Sequence, residues 1–537
     1  MLSFWDGETH ALMPLEGVVP FPENFQARYR AAGYWEDRTL DEVFREAFSR
    51  YAERPAVVWA DRTMTYAELQ RSADRLAARL WEQGLRPLDR VVVHLPNCPE
   101  FLELYFALQR LGVVPVMALA AHRRHEIDHY VGLAGASAYF GADPALGREV
   151  QAQHDCLRQV ISLEELTDPG EAPAPPPFRA DPMDPCVLLL SGGTTGIPKL
   201  IPRIHNDYLY NTRMAVLAQE ISDRTVQLCV LPLAHNMPLA CPGAQGVFLE
   251  GGTLVLGSST RAADVLPTIE RHAVTHVAAV PALYIRWLAD PLAKTCDLSS
   301  VQLLQSGGQR LQPEVRRRMA RTFPNAFVQE NFGMSEGTLF FTKRDDPEEV
   351  RLETVGTPVS AADEVRLTDE EGRQVPDGEL GELTVRGPYT LRGYYRAAKY
   401  NLRAFTPDGF YRSGDLMRRH PSGSYLVEGR IKDLINRGGE KISAEEIENL
   451  ILTIPSVRNV ACVPLPDPIL GERMCACVIT QDGYPLTLEE ITSQLFGMGV
   501  AKYKLPERLE LMDSFPLSAF GKVSKKALAE RFSQTAA

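Results

Sequence analysis

The strongest constraint in this sequence is a ten-residue segment, Leu190–Lys199, which is rich in glycine and hydroxyl residues and directly follows an apolar run. The apolar run, Cys186–Leu190, is typical of a buried strand, and it comes after a proline-rich loop or linker, Ala172–Pro185. Glycines let backbone N–H groups approach an anion closely, while hydroxyls and a lysine add donors and positive charge. The segment therefore predicts a strand that leads into a polyphosphate-binding loop, although it lacks the spacing of a Walker A loop.

Helix and strand patterns alternate along most of the chain before this segment and after it. Tyr66–Gln83 has the spacing of an amphipathic helix, and Arg90–Leu95 has the composition of a buried strand. Short strand patterns separated by glycine, proline and aspartate lie between Glu364 and Glu428, and mixed helix and strand patterns return after Arg430. Alternation of this kind indicates layers of helices on sheets.

The length of 537 residues is several times that of a common single domain, so we expect more than one domain. We predict an α/β fold with a large N-terminal domain over residues 1–431, built from layered α/β subdomains and a β-rich subdomain at about residues 355–430. A small α+β C-terminal domain is predicted over residues 432–537.

The overall composition excludes several classes of protein. Acidic residues outnumber basic ones 69 to 57, so a general nucleic-acid scaffold is not expected. The nine cysteines form no Cys-x-x-Cys pair, which gives no support to a zinc ribbon and agrees with reduced thiols. No signal sequence is visible, and the most apolar stretch, Tyr105–Ala121, is interrupted by Gln109 and Arg110. We therefore expect a cytoplasmic protein that binds neither nucleic acid nor membrane.

Four further motifs follow the glycine-rich segment: Asn331–Glu336, Tyr411–Asp415, Gly429–Asp433 and Pro516–Val523. With Leu190–Lys199 they resemble, in type and order, the motifs of the adenylate-forming superfamily of acyl-CoA synthetases, peptide-synthetase adenylation domains and luciferases. The family's motifs are a phosphate loop, an aromatic-Gly-x-Thr/Ser-Glu motif, a ribose-binding motif, a domain hinge and a catalytic-lysine motif. The resemblance covers nearly the whole chain and implies that the small C-terminal domain is mobile.

A narrower resemblance is to the stand-alone aryl-acid AMP ligases, which activate salicylate or 2,3-dihydroxybenzoate. The segments that carry it are Phe25–Trp35, Pro202–Tyr208, Ala234–Gly243 and Gly438–Ile442. Two positions beside the acyl pocket depart from these ligases, because Ser335 stands where they usually carry Ala and Thr338 where they often carry Leu.

The resemblance assigns catalytic roles that also follow from the chemistry. Attack of a carboxylate on the α-phosphorus of ATP brings two anions together, so positive charge has to lie between them. Lys522 is the candidate catalytic lysine, because its point charge can contact both groups. The resemblance implies that Glu336 binds Mg²⁺, which neutralises the leaving pyrophosphate, and that His235 lies beside the carboxylate. It also implies that Lys432 is the hinge residue.

The resemblance further implies which residues form the two binding sites. Asp415 is suited to accept hydrogen bonds from both ribose hydroxyls, and Arg430 adds a polar contact there. The implied ATP- and AMP-binding residues are Ser191, Gly192, Gly193, Thr194, Thr195, Gly196, Lys199, Gly308, Gln309, Glu330, Asn331, Phe332, Ser335, Asp415 and Arg430. The implied aryl-acid-binding residues are Asn236, Met237, Cys241, Ser306, Gly307 and Leu339.

Within the aryl-acid site, Asn236 can bond a hydroxyl ortho to the carboxylate, which favours a 2-hydroxybenzoate. By resemblance, ligases for 2,3-dihydroxybenzoate carry Ser at the position of Cys241 and tend to carry the smaller Val at that of Leu339. A thiol is a weak donor and behaves as a small hydrophobe, so these two residues predict a tighter, drier wall facing ring position 3. The pattern therefore favours salicylate.

We therefore expect an acid–AMP ligase that uses ATP and Mg²⁺ to form aryl-AMP and pyrophosphate. The aryl group would pass to the phosphopantetheine thiol of an aryl carrier protein in trans, in siderophore or related nonribosomal peptide synthesis. Two alternatives stay open: 2,3-dihydroxybenzoate or a substituted salicylate as the substrate, and an aryl-CoA ligase that uses free CoA. A non-catalytic nucleotide-binding protein would be expected to lack Lys522 or Glu336, and both are present.

Overall fold

The computed structural model describes residues 15–167, 173, 179–191, 198–308, 311, 313–437, 440–481, 484–498, 500–517 and 522–533, with only the backbone at positions 432, 440 and 441. These residues form two compact units. The first comprises the described residues within 1–351, 356–364 and 385–411, and the second comprises the described residues within 352–355, 365–384 and 412–537. The domain boundary at residue 431 stays a prediction.

The helices of the described residues are α1 (Glu23–Ala31), α2 (Leu40–Arg50), α3 (Tyr66–Glu82), α4 (Pro99–Leu111), α5 (Arg124–Ala134), α6 (Pro144–Gln151), α7 (Leu163–Thr167), α8 (His205–Ala218), α9 (Asn236–Ala240), α10 (Gly243–Leu249), α11 (Ala262–Arg271), α12 (Pro281–Ala289), α13 (Pro313–Thr322), α14 (Glu348–Glu353), α15 (Ala398–Ala404), α16 (Ala444–Ile451), α17 (Leu488–Gly497) and α18 (Lys525–Ser533). Short 3-10 helices cover Pro291–Lys294, Ile431–Asp433 and Lys502–Lys504.

The strands are β1 (Pro55–Trp59), β2 (Arg62–Thr65), β3 (Arg90–His94), β4 (Val114–Met117), β5 (Ala138–Gly141), β6 (Gln159–Ser162), β7 (Pro185–Leu190), β8 (Leu200–Ile204), β9 (Val226–Cys229), β10 (Thr253–Leu256), β11 (His276–Ala279), β12 (Leu303–Gly307), β13 (Phe327–Gly333), β14 (Leu339–Phe341), β15 (Thr357–Pro358), β16 (Glu364–Thr368), β17 (Gly381–Arg386), β18 (Tyr411–Arg419), β19 (Tyr425–Arg430), β20 (Leu434–Arg437), β21 (Glu440–Ser443), β22 (Val457–Asp467), β23 (Gly471–Thr480) and β24 (Arg508–Leu511).

Two sheets form the centre of the first unit. One has the strand order β15-β14-β13-β12-β11-β9-β10-β1-β2, with parallel pairing from β13 through β1 and antiparallel strands at its ends. The other has the order β6-β5-β3-β4-β7-β8 and is parallel except for the β7–β8 pair. Parallel sheets bury both faces, which explains why strands such as β4, β7 and β11 are wholly buried.

Amphipathic helices pack on these sheets, and α3 illustrates how such a helix begins. In α3, the Thr65 hydroxyl accepts from the Glu68 N–H while the Glu68 carboxylate accepts from the Thr65 N–H, so both ends of a capping box are present. The buried face of α3 includes Leu69, Leu76 and Leu80, which follow helical spacing. The predicted helix at Tyr66 and the predicted strand at Arg90 are therefore confirmed, with shifts of one residue at their C-terminal ends.

The second unit contains a four-stranded sheet, β16-β17-β18-β19, and a mixed sheet of order β21-β20-β23-β22 in which β24 pairs with β23. Helix α16 packs on one apolar cluster of the mixed sheet, and α18 packs on another through Leu528 and Phe532. The prediction of an α/β fold with a β-rich part and a small α+β part is confirmed. Among the described residues, no helix is both long enough and apolar enough to cross a membrane.

Candidate active site

The glycine-rich segment begins at the carboxyl end of β7, which lies between β4 and β8 in the six-stranded sheet. The N–H of Ser191 donates to the carbonyl of Lys199 at 2.9 Å, and the N–H of Lys199 donates to Oγ of Ser191 at 2.9 Å. These two bonds close the base of the predicted phosphate loop. Loop residues Gly192, Gly193, Thr194, Thr195 and Gly196 lie outside the described residues, as does Gln309.

The side chain of Lys199 lies against aromatic rings. Its Nζ is 4.0 Å from the ring centroid of Tyr400 and 5.7 Å from that of Tyr394, so it makes cation–π contacts. Burial lowers the pKa of Lys199, Arg403 acts in the same direction, and Glu336 opposes them. The arrangement places a half-buried cation and a carboxylate close to one another near the predicted phosphate loop.

Glu336 follows β13 and is buried. The Tyr394 hydroxyl donates to Oε1 of Glu336 at 2.7 Å and lies 2.8 Å from the hydroxyl of Tyr411. The backbone carbonyl of Glu336 accepts from the N–H of Leu391 at 2.8 Å. A carboxylate supplies the hard oxygen ligands that Mg²⁺ prefers, and Mg²⁺ is commonly held by one or two carboxylates together with substrate phosphates. The donor chemistry at Glu336 therefore fits the predicted Mg²⁺ site.

The predicted aryl-acid pocket begins at His235, the residue before α9. Its Nδ1 accepts from the N–H of Met237 at 3.2 Å, so a neutral ring carries its proton on Nε2. The next residue, Asn236, is buried, and its Oδ1 accepts from the Tyr208 hydroxyl at 2.9 Å. Its Nδ2 lies 3.3 Å from Sγ of Cys241. Tyr208 and Cys241 therefore fix which way the Asn236 amide points.

Cys241 is buried among apolar side chains and two amide groups, because Nδ2 of Asn211 also lies near its Sγ, at 3.8 Å. Its side chain shares a buried cluster with Leu339, Phe341, Tyr210 and Tyr389. Burial raises the pKa of the Cys241 thiol to about 11, so the thiol is neutral at physiological pH. The structure thus places Cys241 and Leu339 together, and their position relative to ring position 3 of a substrate stays a prediction.

The ends of two adjacent strands, β12 and β13, supply further predicted site residues. A Cβ on Gly307 would lie 2.5 Å from Oδ1 of Asn331, so glycine is required for this close approach. Oγ of Ser306 and Oδ1 of Asn331 are buried and have no hydrogen-bond partner among the described residues. Buried polar atoms of this kind are suited to bonding a ligand. The next residue, Gly308, has a φ of 85°, a conformation that glycine adopts readily.

Glu330 and Phe332 make contacts within the protein. The Glu330 carboxylate is buried, pairs with Arg316 and accepts from the N–H of Leu311 at 2.9 Å. The ring of Phe332 packs edge-on against Phe340 with centroids 5.7 Å apart. Their roles in nucleotide binding stay predictions, and the contacts of Glu330 show that it also joins β13 to Leu311 and to Arg316 of α13.

The two residues of the predicted ribose site are paired in the second unit. Asp415 and Arg430 lie opposite each other on β18 and β19, and Nε of Arg430 is 2.7 Å from Oδ1 of Asp415. The N–H of Asp415 donates to Oγ of Ser413 at 3.0 Å. The sheet register therefore brings together two residues that are fifteen positions apart in the sequence.

Lys522 and Lys432 belong to the same unit. Lys522 is half-buried and directly precedes Val523, which forms an isolated bridge with Leu517 shortly before α18 begins. Residues 518–521 of its motif lie outside the described residues. The backbone of Lys432 lies in the 3-10 helix that directly follows β19. Their catalytic and hinge roles stay predictions.

Several residues that shape the site were missed by sequence reasoning. Arg203 is fully buried, pairs with Asp207 at 2.8 Å, and donates to the carbonyls of Ser335 and Tyr389 at 3.1 Å each. The sequence does contain a pattern that indicates this buried pair, namely an arginine in an apolar strand with an aspartate four residues later. Tyr394 had no such local signal, because its partners are far away in the sequence.

Comparison with known proteins places this arrangement in a family. Residues 44–395 match the AMP-binding enzyme family, and residues 446–522 match the AMP-binding enzyme C-terminal domain. A Streptomyces salicylyl-CoA synthase / salicylate adenylyltransferase is 45% identical over 96% of this chain and 98% of its own length. The chain belongs to the adenylate-forming, AMP-binding enzymes, and among them to the aryl-acid AMP ligases. The predicted family and the prediction of an enzyme are confirmed.

Other members are about equally similar to this AMP-binding enzyme. A Bacillus subtilis 2,3-dihydroxybenzoate-AMP ligase is 43% identical over 97% of this chain and 98% of its own. A Mycobacterium tuberculosis salicyl-AMP ligase / salicyl-S-ArCP synthetase is 44% identical, with coverages of 96% and 95%. The solved apo structure of MbtA from Mycobacterium smegmatis covers 96% of this chain and 99% of its own at a TM-score of 0.74 and 44% identity. Overall identity therefore does not distinguish the aryl substrates.

Proposed function

We propose that this enzyme activates salicylate with ATP. In the first step, a carboxylate oxygen of salicylate attacks the α-phosphorus, the bond to the β-phosphate oxygen breaks, and salicyl-AMP and pyrophosphate form. One observation favours salicylate over 2,3-dihydroxybenzoate: Cys241 is a buried neutral thiol that shares an apolar cluster with Leu339. A 3-hydroxyl buried there without a partner would cost about 1–3 kcal/mol.

Different residues of the site make different contributions to this step. We propose that Lys199 binds the phosphates, and that the side chain of His235 and the amide of Asn236 bind the carboxylate and the ortho hydroxyl of salicylate. The fixed direction of the Asn236 amide supports this role, because its Nδ2 lies on the side of Cys241. Lys522 supplies the charge shared by carboxylate and α-phosphate. Mg²⁺ held by Glu336 would neutralise charge on the leaving pyrophosphate.

We propose that the second step passes the salicyl group to the phosphopantetheine thiol of a carrier protein. The thiolate sulfur attacks the acyl carbon of salicyl-AMP, a thioester forms and AMP leaves. The name of the 44% identical mycobacterial relative, a salicyl-S-ArCP synthetase, supports a carrier as acceptor. Transfer to free CoA is the second candidate, because the 45% identical Streptomyces relative is named a salicylyl-CoA synthase.

Acceptor-dependent transfer after adenylation tests this function. Enzyme, ATP and labelled salicylate are incubated with a phosphopantetheinylated aryl carrier protein, with the carrier's unmodified form, or with CoA. We expect label on the modified carrier only. Label on CoA alone would favour the CoA-ligase candidate, and release of no pyrophosphate with any benzoic acid would contradict the adenylation step.

A further inference from the structure

One short segment, Tyr389–Tyr394, holds the loop that carries Glu336. We call this segment the clamp, and residues 335–339 the glutamate loop. Four contacts join them, all between buried residues. They are Leu339 N–H to the Tyr389 hydroxyl at 3.0 Å, Thr338 Oγ1 to Thr390 Oγ1 at 3.2 Å, Leu391 N–H to the Glu336 carbonyl at 2.8 Å, and the Tyr394 hydroxyl to Glu336 Oε1 at 2.7 Å.

The glutamate loop adopts a conformation that needs such support. Gly337 has a φ of 115°, and a Cβ there would lie 2.1 Å from the carbonyl oxygen of Tyr389. Thr338 has a φ of 66°, which is a rare conformation for a β-branched residue. Strained backbone persists where the surrounding contacts over-determine it. The clamp supplies those contacts on both sides of Gly337.

At one end of the clamp, the Tyr394 hydroxyl contacts the Glu336 carboxylate directly. A phenol has one proton, and Tyr394 donates it to Glu336, so the neighbouring Tyr411 hydroxyl donates to Tyr394 at 2.8 Å. The order of donors is therefore Tyr411, then Tyr394, then the carboxylate. Groups that hydrogen-bond a metal-binding carboxylate in this way orient it and tune its affinity.

At the other end, Tyr389 contacts Leu339. Its hydroxyl accepts from the Leu339 N–H and donates to Oδ2 of Asp363 at 2.6 Å. Its ring belongs to the apolar cluster that contains Cys241 and Leu339. The same residue therefore contacts both the backbone and the side chain of a predicted wall of the aryl pocket.

We propose that Tyr394 and Tyr389 are positioning residues for two different parts of the same reaction. Tyr394 orients Glu336 for the metal–nucleotide complex, and Tyr389 fixes Leu339 and with it the discrimination between aryl acids. This proposal rests on the proposed function, since it assumes that Glu336 binds the metal and that Leu339 lines the aryl pocket. It predicts that loss of the Tyr394 hydroxyl weakens metal binding, and that loss of the Tyr389 hydroxyl changes the preference between aryl acids.

The test compares the same chemical change at the two ends, Tyr394→Phe and Tyr389→Phe. For each variant we measure the Mg²⁺ concentration that half-saturates salicylate-dependent pyrophosphate exchange, and the ratio of kcat/KM for salicylate to that for 2,3-dihydroxybenzoate. We also measure Mn²⁺ binding by electron paramagnetic resonance in the presence of a non-hydrolysable ATP analogue. Tyr395→Phe is the matched control, because this buried hydroxyl has no partner among the described residues.

Tyr394→Phe is expected to raise the half-saturating Mg²⁺ concentration and weaken Mn²⁺ binding by about 10-fold, and to leave the substrate ratio unchanged. Tyr389→Phe is expected to lower the substrate ratio about 3-fold or more, and to leave both metal measurements unchanged. Asp363→Ala, which removes the acceptor of the Tyr389 hydroxyl, should repeat that pattern and serves if Tyr389→Phe does not fold. Tyr395→Phe should match the wild type.

Equal changes in both quantities for both variants, or no change in either, would overturn the proposal. Failure of the proposed function gives a different result, because a wild type that lacks exchange with every aryl acid contradicts the function itself. In that case, the Mn²⁺ measurement still compares Tyr394→Phe with Tyr395→Phe, and an unchanged affinity would overturn the Tyr394 assignment independently.

Discussion

Among single residues, Asn236 in the predicted aryl pocket shows how neighbouring polar groups set the direction of one side-chain amide. Tyr208 donates to Oδ1 of Asn236, and Nδ2 of Asn236 lies beside the thiol of Cys241. An amide nitrogen has two hydrogens. When one of them points at the sulfur of Cys241, the second is available to donate to another acceptor. The sequence identified Asn236 and Cys241, whereas Tyr208 was only part of a resembling segment, because its distance to Asn236 depends on how α8 packs on α9.

One prediction concerns the catalytic role proposed for Lys522. If its charge bridges carboxylate and α-phosphate, Lys522→Ala should slow salicylate-dependent pyrophosphate exchange by about 10²–10³-fold. Transfer of the salicyl group from preformed salicyl-AMP to the carrier should change much less, because the α-phosphorus no longer reacts. Single-turnover assays of each half-reaction measure the two effects. Similar losses in both half-reactions would count against this role.

At the scale of elements, local patterns in the sequence predicted the strands and helices well. The helix predicted at Tyr66–Gln83 is α3, because its apolar residues recur at helical spacing, and the strand predicted at Cys186–Leu190 is β7, because it is a short continuous apolar run. The clamp had no comparable signal. Tyr394 lies 58 positions from Glu336 in the sequence, so their contact depends on the packing of the whole unit rather than on a local pattern.

A second prediction concerns the connection between two strands. Lys432 lies in the 3-10 helix between β19 and β20. Proline fixes φ near −65° and removes a donor, so Lys432→Pro should hinder a backbone rotation at this point. We expect near-normal pyrophosphate exchange together with at least about a 10-fold loss in thioester formation, with Lys432→Ala as the control that keeps the backbone free. Normal transfer to the carrier by Lys432→Pro would refute the hinge assignment.

At the scale of the whole molecule, buried histidines make stability depend on pH. Burial lowers the pKa of His205 to about 3 and those of His122 and His276 to about 4. An unfolded chain binds protons at these residues below about pH 6.5, whereas the folded chain stays neutral there. Stability that is present above this pH is therefore lost as the pH falls toward 4, by about 1.4 kcal/mol per pH unit for each such group at the limiting slope.

His205 gives a direct check of this effect. Its Nδ1 accepts from the N–H of Leu40 at 3.1 Å, and Asn at this position offers an acceptor in a similar place without a group that titrates. The thermal midpoint should fall less between about pH 7 and 5 in His205→Asn than in the wild type. Calorimetric scans at several pH values measure the difference, and parallel curves for the two proteins would show that His205 does not contribute.

The proposed basis of the salicylate preference is the neutral thiol of Cys241 beside the apolar side chain of Leu339. Its most direct test is the pair of kcat/KM values for salicylate and 2,3-dihydroxybenzoate in pyrophosphate exchange. We expect the wild type to prefer salicylate by about 5- to 150-fold in kcat/KM, from the ~1–3 kcal/mol penalty of an unpaired buried hydroxyl, and the double variant Cys241→Ser with Leu339→Val to have a smaller preference. A wild type that prefers 2,3-dihydroxybenzoate would contradict it.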